Sequence, residues 1–106
     1  MATIALRDKD LDGLRRIFRR FPCVSEVRLF GSRATGTARR ASDIDLAISA
    51  PHAATDQWLE LTDALDETPI IHDLAVVRIE RTPHSRLLEK IAREGVPIYS
   101  AIKLRC

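Results

Sequence analysis

Asp43 and Asp45 alternate with Ile44, Leu46 and Ile48 in the run DIDLAI. Residues two apart on a strand share a face, so both carboxylates point the same way. Their like charges repel, and burying either one alone is costly. A divalent cation answers both problems, because Mg²⁺ takes oxygen ligands and bridges carboxylates to substrate phosphates. Taken alone, such a pair could equally end a solvated strand. Ten residues, 33–42, separate it from Gly31-Ser32. Gly31 permits close approach of backbone to a ligand, and Ser32 offers a hydroxyl and turn N–H groups to phosphate oxygens. A plain Gly-Ser turn is the competing reading. Arg33 could neutralise phosphate or be an ordinary surface arginine. Asp73 interrupts the apolar run IIHDLAVV, with Ala75 and Val77 as its face-mates. If that strand lies beside the Asp43–Asp45 strand, three carboxylates meet on one surface. A phosphate cradle beside a metal site suits a nucleoside triphosphate.

The elements that must position these groups follow from pattern. Leu11, Leu14, Ile17 and Phe18 recur at helical spacing, which predicts a helix over residues 7–20, closed by Pro22. Residues 25–30 read as a strand with Val27 and Leu29 on one face. Residues 31–36 form a turn or short helix. A second strand spans 43–49, with Ile44, Leu46 and Ile48 on one face and Asp43, Asp45, Ala47 and Ser49 on the other. A helix over 55–67 presents Trp58, Leu59, Leu61 and Leu65. A third strand covers 70–77. Pro83 suits the first turn of a last helix, whose buried stripe is Leu87, Leu88, Ile91 and Ala92, with Gly95 as its C-cap. Residues 96–99 add a short edge strand. Helices and strands alternate, so the fold class is α/β (α+β), a small sheet flanked by helices. The short connection between the first two strands makes the sheet mixed.

At 106 residues the chain is expected to be one domain, 1–106, with little material for a second lobe over the site. Apolar content is 45% and charged content 30%, which argues against disorder. The net charge is only +2. Arg15, Arg16, Arg19 and Arg20 cluster near the end of the first helix, where cations are favoured. Without a stronger basic excess or aromatic platforms, no direct nucleic-acid binding is expected. Cys23 and Cys106 have no metal or redox spacing. His52, His72 and His84 lack partners at zinc spacing and read as structural or surface residues. No apolar signal region and no membrane-length run are evident, so a cytoplasmic location is expected.

Taken together, these residues resemble the nucleotidyltransferase superfamily that includes DNA polymerase beta. The likeness is to its minimal nucleotidyltransferase (MNT) branch, small proteins often paired with a HEPN-domain protein. The family pattern is Gly-Ser, ten residues, Asp-x-Asp, then a third carboxylate on a later strand. Gly31-Ser32, Asp43-Ile44-Asp45 and Asp73 match it. SDIDLAI and the late LLEKIAREGVPIY, residues 87–99, also look like that branch. Ala41 departs mildly, since the turn often carries an acidic or proline residue there. The resemblance implies a nucleotidyltransferase (polymerase beta-like) fold. It implies that Asp43, Asp45 and Asp73 are catalytic and hold Mg²⁺ or Mn²⁺, and that Ser32 and the backbone at Gly31 bind the phosphates of ATP, beside which Arg33 stays a further candidate. It further implies transfer of AMP to a hydroxyl acceptor, commonly a tyrosine of a HEPN toxin, the chain acting as its antitoxin. Two alternatives stay open: an antitoxin that neutralises a HEPN ribonuclease by binding alone, and a small-molecule nucleotidyltransferase. The size of the chain predicts a second subunit, a HEPN protein or a homodimer mate, with apolar residues 96–102 available to such an interface.

Overall fold

The computed structural model describes residues 4–101. Helix α1 (Asp8–Arg19) leads into strand β1 (Glu26–Phe30). The one-turn helix α2 (Ser32–Thr35) follows directly, then β2 (Ile44–Ser49) and α3 (Thr55–Asp66). Strand β3 (Leu74–Arg78), helix α4 (Ser85–Glu94) and strand β4 (Val96–Ser100) complete the order. The strands lie in the order β3-β2-β1-β4. β1 pairs antiparallel with β2 and β4, and β2 pairs parallel with β3 through the α3 crossover. The mixed sheet expected from the connection lengths is present, flanked by helices.

The period-two pattern divides the sheet into two unlike faces. Val27 and Leu29 of β1 join Ile44, Leu46 and Ile48 of β2 on one face, all fully buried. Leu14, Ile17 and Phe18 of α1 and Leu61 and Leu65 of α3 cover them, and Ile98 of β4 extends the same core. Arg15 ties α1 to the edge strand by donating to the Ile98 carbonyl at 2.7 Å. The opposite face carries Phe30, Ala47 and Val77, and Ile91 and Leu87 of α4 pack there. One helix rather than two covers it, and Asp45 belongs to this thinner side.

Several boundaries differ from the sequence pattern, each for a physical reason. The third strand begins at Leu74, not at residue 70. Its parallel neighbour pairs first at Ile44 with Leu74, so residues 70–72 have no strand beside them. A bend occupies Ile71 and His72, and Ile71 is 77% exposed. Leu59 was expected in the apolar stripe of the second long helix but is 55% exposed; Trp58, Leu61 and Leu65 share a helical face that Leu59 lies off. Ala92 is likewise exposed beside buried Ile91. Gly95 does cap α4, but with φ −67°. Its need for glycine is spatial, since a Cβ there would overlap the Ile91 carbonyl oxygen. The stretch expected to serve an interface is partly spent on the fold: β4 pairs with β1 and buries Ile98. Ile102 lies outside the described residues, as does Cys106, and Cys23 is a free thiol.

Candidate active site

β2 begins at Ile44, so Asp43 is the last residue of the connection and Asp45 the second of the strand. Asp45 pairs across with Phe30 on one side and Ala75 on the other. That register sets it, half-buried, within the sheet, while Asp43 is exposed at its rim. Burial pushes the Asp45 carboxyl above its ordinary value, and the charge of Asp43 pushes it further. Lys90 of α4 acts in the opposite direction. A carboxylate that resists ionisation beside a second carboxylate is the electrostatic condition a divalent cation relieves.

Gly31 ends β1 with φ 76° and ψ −157°, a conformation glycine adopts without strain. A Cβ on Gly31 would overlap Oδ2 of Asp45. The Gly-Ser turn is therefore pressed against the second carboxylate, and the missing side chain leaves the room for it. Ser32 opens α2, and the Ala34 and Thr35 N–H groups bond back to the Gly31 carbonyl at 3.0 and 3.1 Å. Among the described residues, none is hydrogen-bonded to the Ser32 hydroxyl, which leaves it free for a ligand.

Arg33 takes neither of the places open to it in the sequence. It is buried, not a surface residue, and its guanidinium is committed to protein carbonyls, not poised toward a phosphate. Nε and Nη2 donate to the Ser42 carbonyl at 3.1 and 2.8 Å, and Nη1 donates to Ala5 at 2.8 Å. This placement does not favour the expected phosphate role, because most of its donors point at protein carbonyls.

Asp73 also differs from expectation. It stands one residue before β3, exposed, and its carbonyl accepts from the Ile44 N–H at 2.9 Å. The backbone thus lies beside the Asp43–Asp45 segment. Among the described residues, however, no three Asp, Glu, His or Cys side chains are grouped closely enough to hold a metal ion. Asp43 and Asp45 come together, and Asp73 does not join them. It stands ahead of the first strand residue, Leu74, and is tied to β2 by its carbonyl.

The sequence model of the polymerase beta nucleotidyltransferase family matches residues 13–103. The chain belongs to this family. Membership implies metal-dependent catalysis, and the site of this nucleotidyltransferase fits an ion through two carboxylates whose repulsion it would relieve. Solved structures agree on the fold. A chain of a toxin–antitoxin crystallised with AMP-PNP is 23% identical, with TM-score 0.64 over 87% of this chain and 74% of that one. A chain of the complex of tri-AMPylated Shewanella oneidensis HEPN toxin with MNT antitoxin is 20% identical, with TM-score 0.57 over 86% and 70%. A putative nucleotidyltransferase from Sulfolobus solfataricus is 18% identical, with TM-score 0.54 over 86% and 77%. No curated protein matches the sequence.

Two contacts near the candidate site are not carried by any local sequence pattern. Lys90 reaches Asp45 electrostatically only because α4 lies on the carboxylate face. His72 lies with Nδ1 3.3 Å from Nη2 of Arg33, a contact spanning 39 residues that no local pattern encodes. Among the described residues, no helix is long and apolar enough to cross a membrane.

Proposed function

We propose that this nucleotidyltransferase transfers AMP from ATP to a tyrosine hydroxyl of a HEPN-domain toxin, the tyrosine oxygen bonding the α-phosphorus as pyrophosphate leaves, and so acts as its antitoxin. The observation that carries the reading is the pairing of Asp43 and Asp45 on the thinly covered face, with Gly31 of the Gly-Ser turn packed against Asp45. Asp43 and Asp45 are the residues that would hold Mg²⁺ or Mn²⁺. When bound, the ion supplies charge neutralisation at the α-phosphate and an activated acceptor oxygen. The chain's own residues do the rest. Gly31 lets the backbone approach the β,γ-phosphates, the free Ser32 hydroxyl orients them, and Lys90 adds positive charge on the same face. Asp73 contributes only if its exposed side chain turns toward Asp43.

The partner follows from two supports. One complex with a chain of this fold joins an AMPylated HEPN toxin to an MNT antitoxin, and another is a toxin–antitoxin crystallised with AMP-PNP. In this chain α4 alone covers the carboxylate face, so a docked helical partner would exclude water and strengthen the electrostatics at the phosphates. A cytoplasmic setting supplies the ATP and keeps Cys23 reduced.

Incubation with ATP, Mn²⁺ and a HEPN-domain protein encoded beside this chain, followed by mass spectrometry, tests the reading. AMP on a tyrosine of the partner is expected. The missing third carboxylate in the group favours one rival, neutralisation by binding alone. Inhibition of the toxin that survives in Asp45→Asn, with no AMP on any side chain, would replace the proposal by that rival. Transfer to a small alcohol but not to the HEPN protein would move it to small-molecule chemistry.

A further inference from the structure

Arg33 is 7% exposed, yet among the described residues no carboxylate pairs with it. Its charge is met by backbone dipoles. Besides the Ser42 and Ala5 carbonyls, Nη2 lies 3.4 Å from each of the Arg39 and Arg40 carbonyls. It also meets Nδ1 of His72 at 3.3 Å. A guanidinium only donates, so Nδ1 must present a lone pair and the imidazole proton must sit on Nε2. The Ala5 N–H closes a reciprocal pair by donating to the Arg33 carbonyl at 2.8 Å.

The segments gathered on this one planar group adjoin the Gly-Ser turn, Asp43 and Asp73. Arg33 itself directly follows Gly31-Ser32. Ser42 directly precedes Asp43, and His72 directly precedes Asp73. Residues 37–43 have no regular structure apart from a turn at Arg40 and Ala41. Three carbonyls of that loop face the guanidinium, while the Ser42 side chain accepts from the Arg39 N–H at 2.8 Å. The loop is thereby held from inside, and the point at which the chain enters β2 is set.

We propose that Arg33 is a positioning residue, which holds the Asp43-bearing loop and the Asp73-bearing segment in place against the Gly-Ser turn. The inference rests on the nucleotidyltransferase reading above. It asks for the forked geometry of arginine rather than its charge. A lysine ammonium donates from a single point and cannot serve Ala5 and Ser42 on separate nitrogens together with His72.

Arg33→Lys separates fork from charge. Four quantities are measured: Mn²⁺ affinity by electron paramagnetic resonance with a non-hydrolysable ATP analogue, kcat and KM for AMP transfer, and thermal melting. In a folded Arg33→Lys protein, Mn²⁺ affinity should fall about tenfold and kcat by about 10- to 100-fold. KM for ATP should stay within about threefold, since the Gly-Ser turn is untouched. A folded variant with wild-type Mn²⁺ affinity and kcat, or with a loss confined to KM, overturns the proposal. Should Arg33→Lys fail to fold, His72→Ala decides. A drop in kcat of about threefold or more supports the proposal, and wild-type kcat and Mn²⁺ affinity overturn it. If the wild type neither binds Mn²⁺ with nucleotide nor transfers AMP, the functional reading falls first and this inference with it.

Discussion

The two faces of the sheet divide the labour. On one face, α1 and α3 bury Val27, Leu29, Ile44, Leu46 and Ile48 to zero exposure. On the other, α4 covers Phe30, Ala47 and Val77 with Ile91 and Leu87 and leaves Asp45 half-buried beside exposed Asp43. The same strand serves both, since β2 sets Asp45 on one face and Ile44, Leu46 and Ile48 on the other. Stability is therefore concentrated on the closed face, and electrostatic tension is held on the open one. A residue one step along β2 passes from one regime to the other, so adjacent substitutions should have opposite consequences.

The largest contrast lies between Asp45 and Leu46. Asp45→Asn should lower AMP transfer by about a thousandfold, as expected when charge that stabilises the transition state is removed. It should also leave the melting temperature unchanged or raised, because it relieves repulsion with Asp43. A melting temperature well below wild type would break the division between faces. Leu46→Ala should cost about 2–5 kcal/mol in urea unfolding, from lost transfer energy and a cavity in a close-packed core. Its folded fraction should still turn over ATP.

Gly31→Ala tests where the two regimes meet. Positive φ alone should cost about 1 kcal/mol or more. The added methyl must also displace the Asp45 carboxylate, so Mn²⁺ affinity measured with nucleotide should fall along with stability. Loss of stability with unaltered metal affinity would mean that the turn does not shape the site.

The smallest effect is expected at Glu80, at the far end of the sheet. Burial pushes its carboxyl up, but hydrogen bonds from the Ser49 hydroxyl and the Ala50 N–H, with the charge of Arg78, outweigh this and hold it below its ordinary value. A depressed folded value contributes stability above the unfolded glutamate value, about 4.3, and that contribution is lost as pH falls through the lower folded one. Glu80→Gln should flatten the acid limb of the stability–pH curve slightly. Its exposure keeps the change small, and AMP transfer at neutral pH should not move. A steeper acid limb in the variant would contradict the assigned direction.

Much of this arrangement was legible in residue order because it is local. Alternation in DIDLAI specifies which side of β2 is apolar, whatever packs on it. The same alternation puts Asp43 and Asp45 together, and the Gly31-Ser32 spacing pointed to a turn ending one strand and leading to the next. Helical periodicity located α1, α3 and α4 to within a few residues. It misjudged Leu59 and Ala92, which lie at the margins of their stripes, where burial depends on how far the neighbouring element reaches.

What only the tertiary structure decided depends on contacts between distant segments. Residues 70–72 have no neighbour to pair with, since β2 starts at Ile44, and Asp73 meets that strand only through its carbonyl. Asp73 is consequently left just ahead of β3. Lys90 acts on Asp45 because α4 folds back across the sheet. In sequence Arg33 reads as a phosphate ligand or an ordinary surface cation. Its role follows from the burial of its side chain among Ala5, Ser42 and His72, whose meeting is fixed by chain closure rather than by any pattern near residue 33.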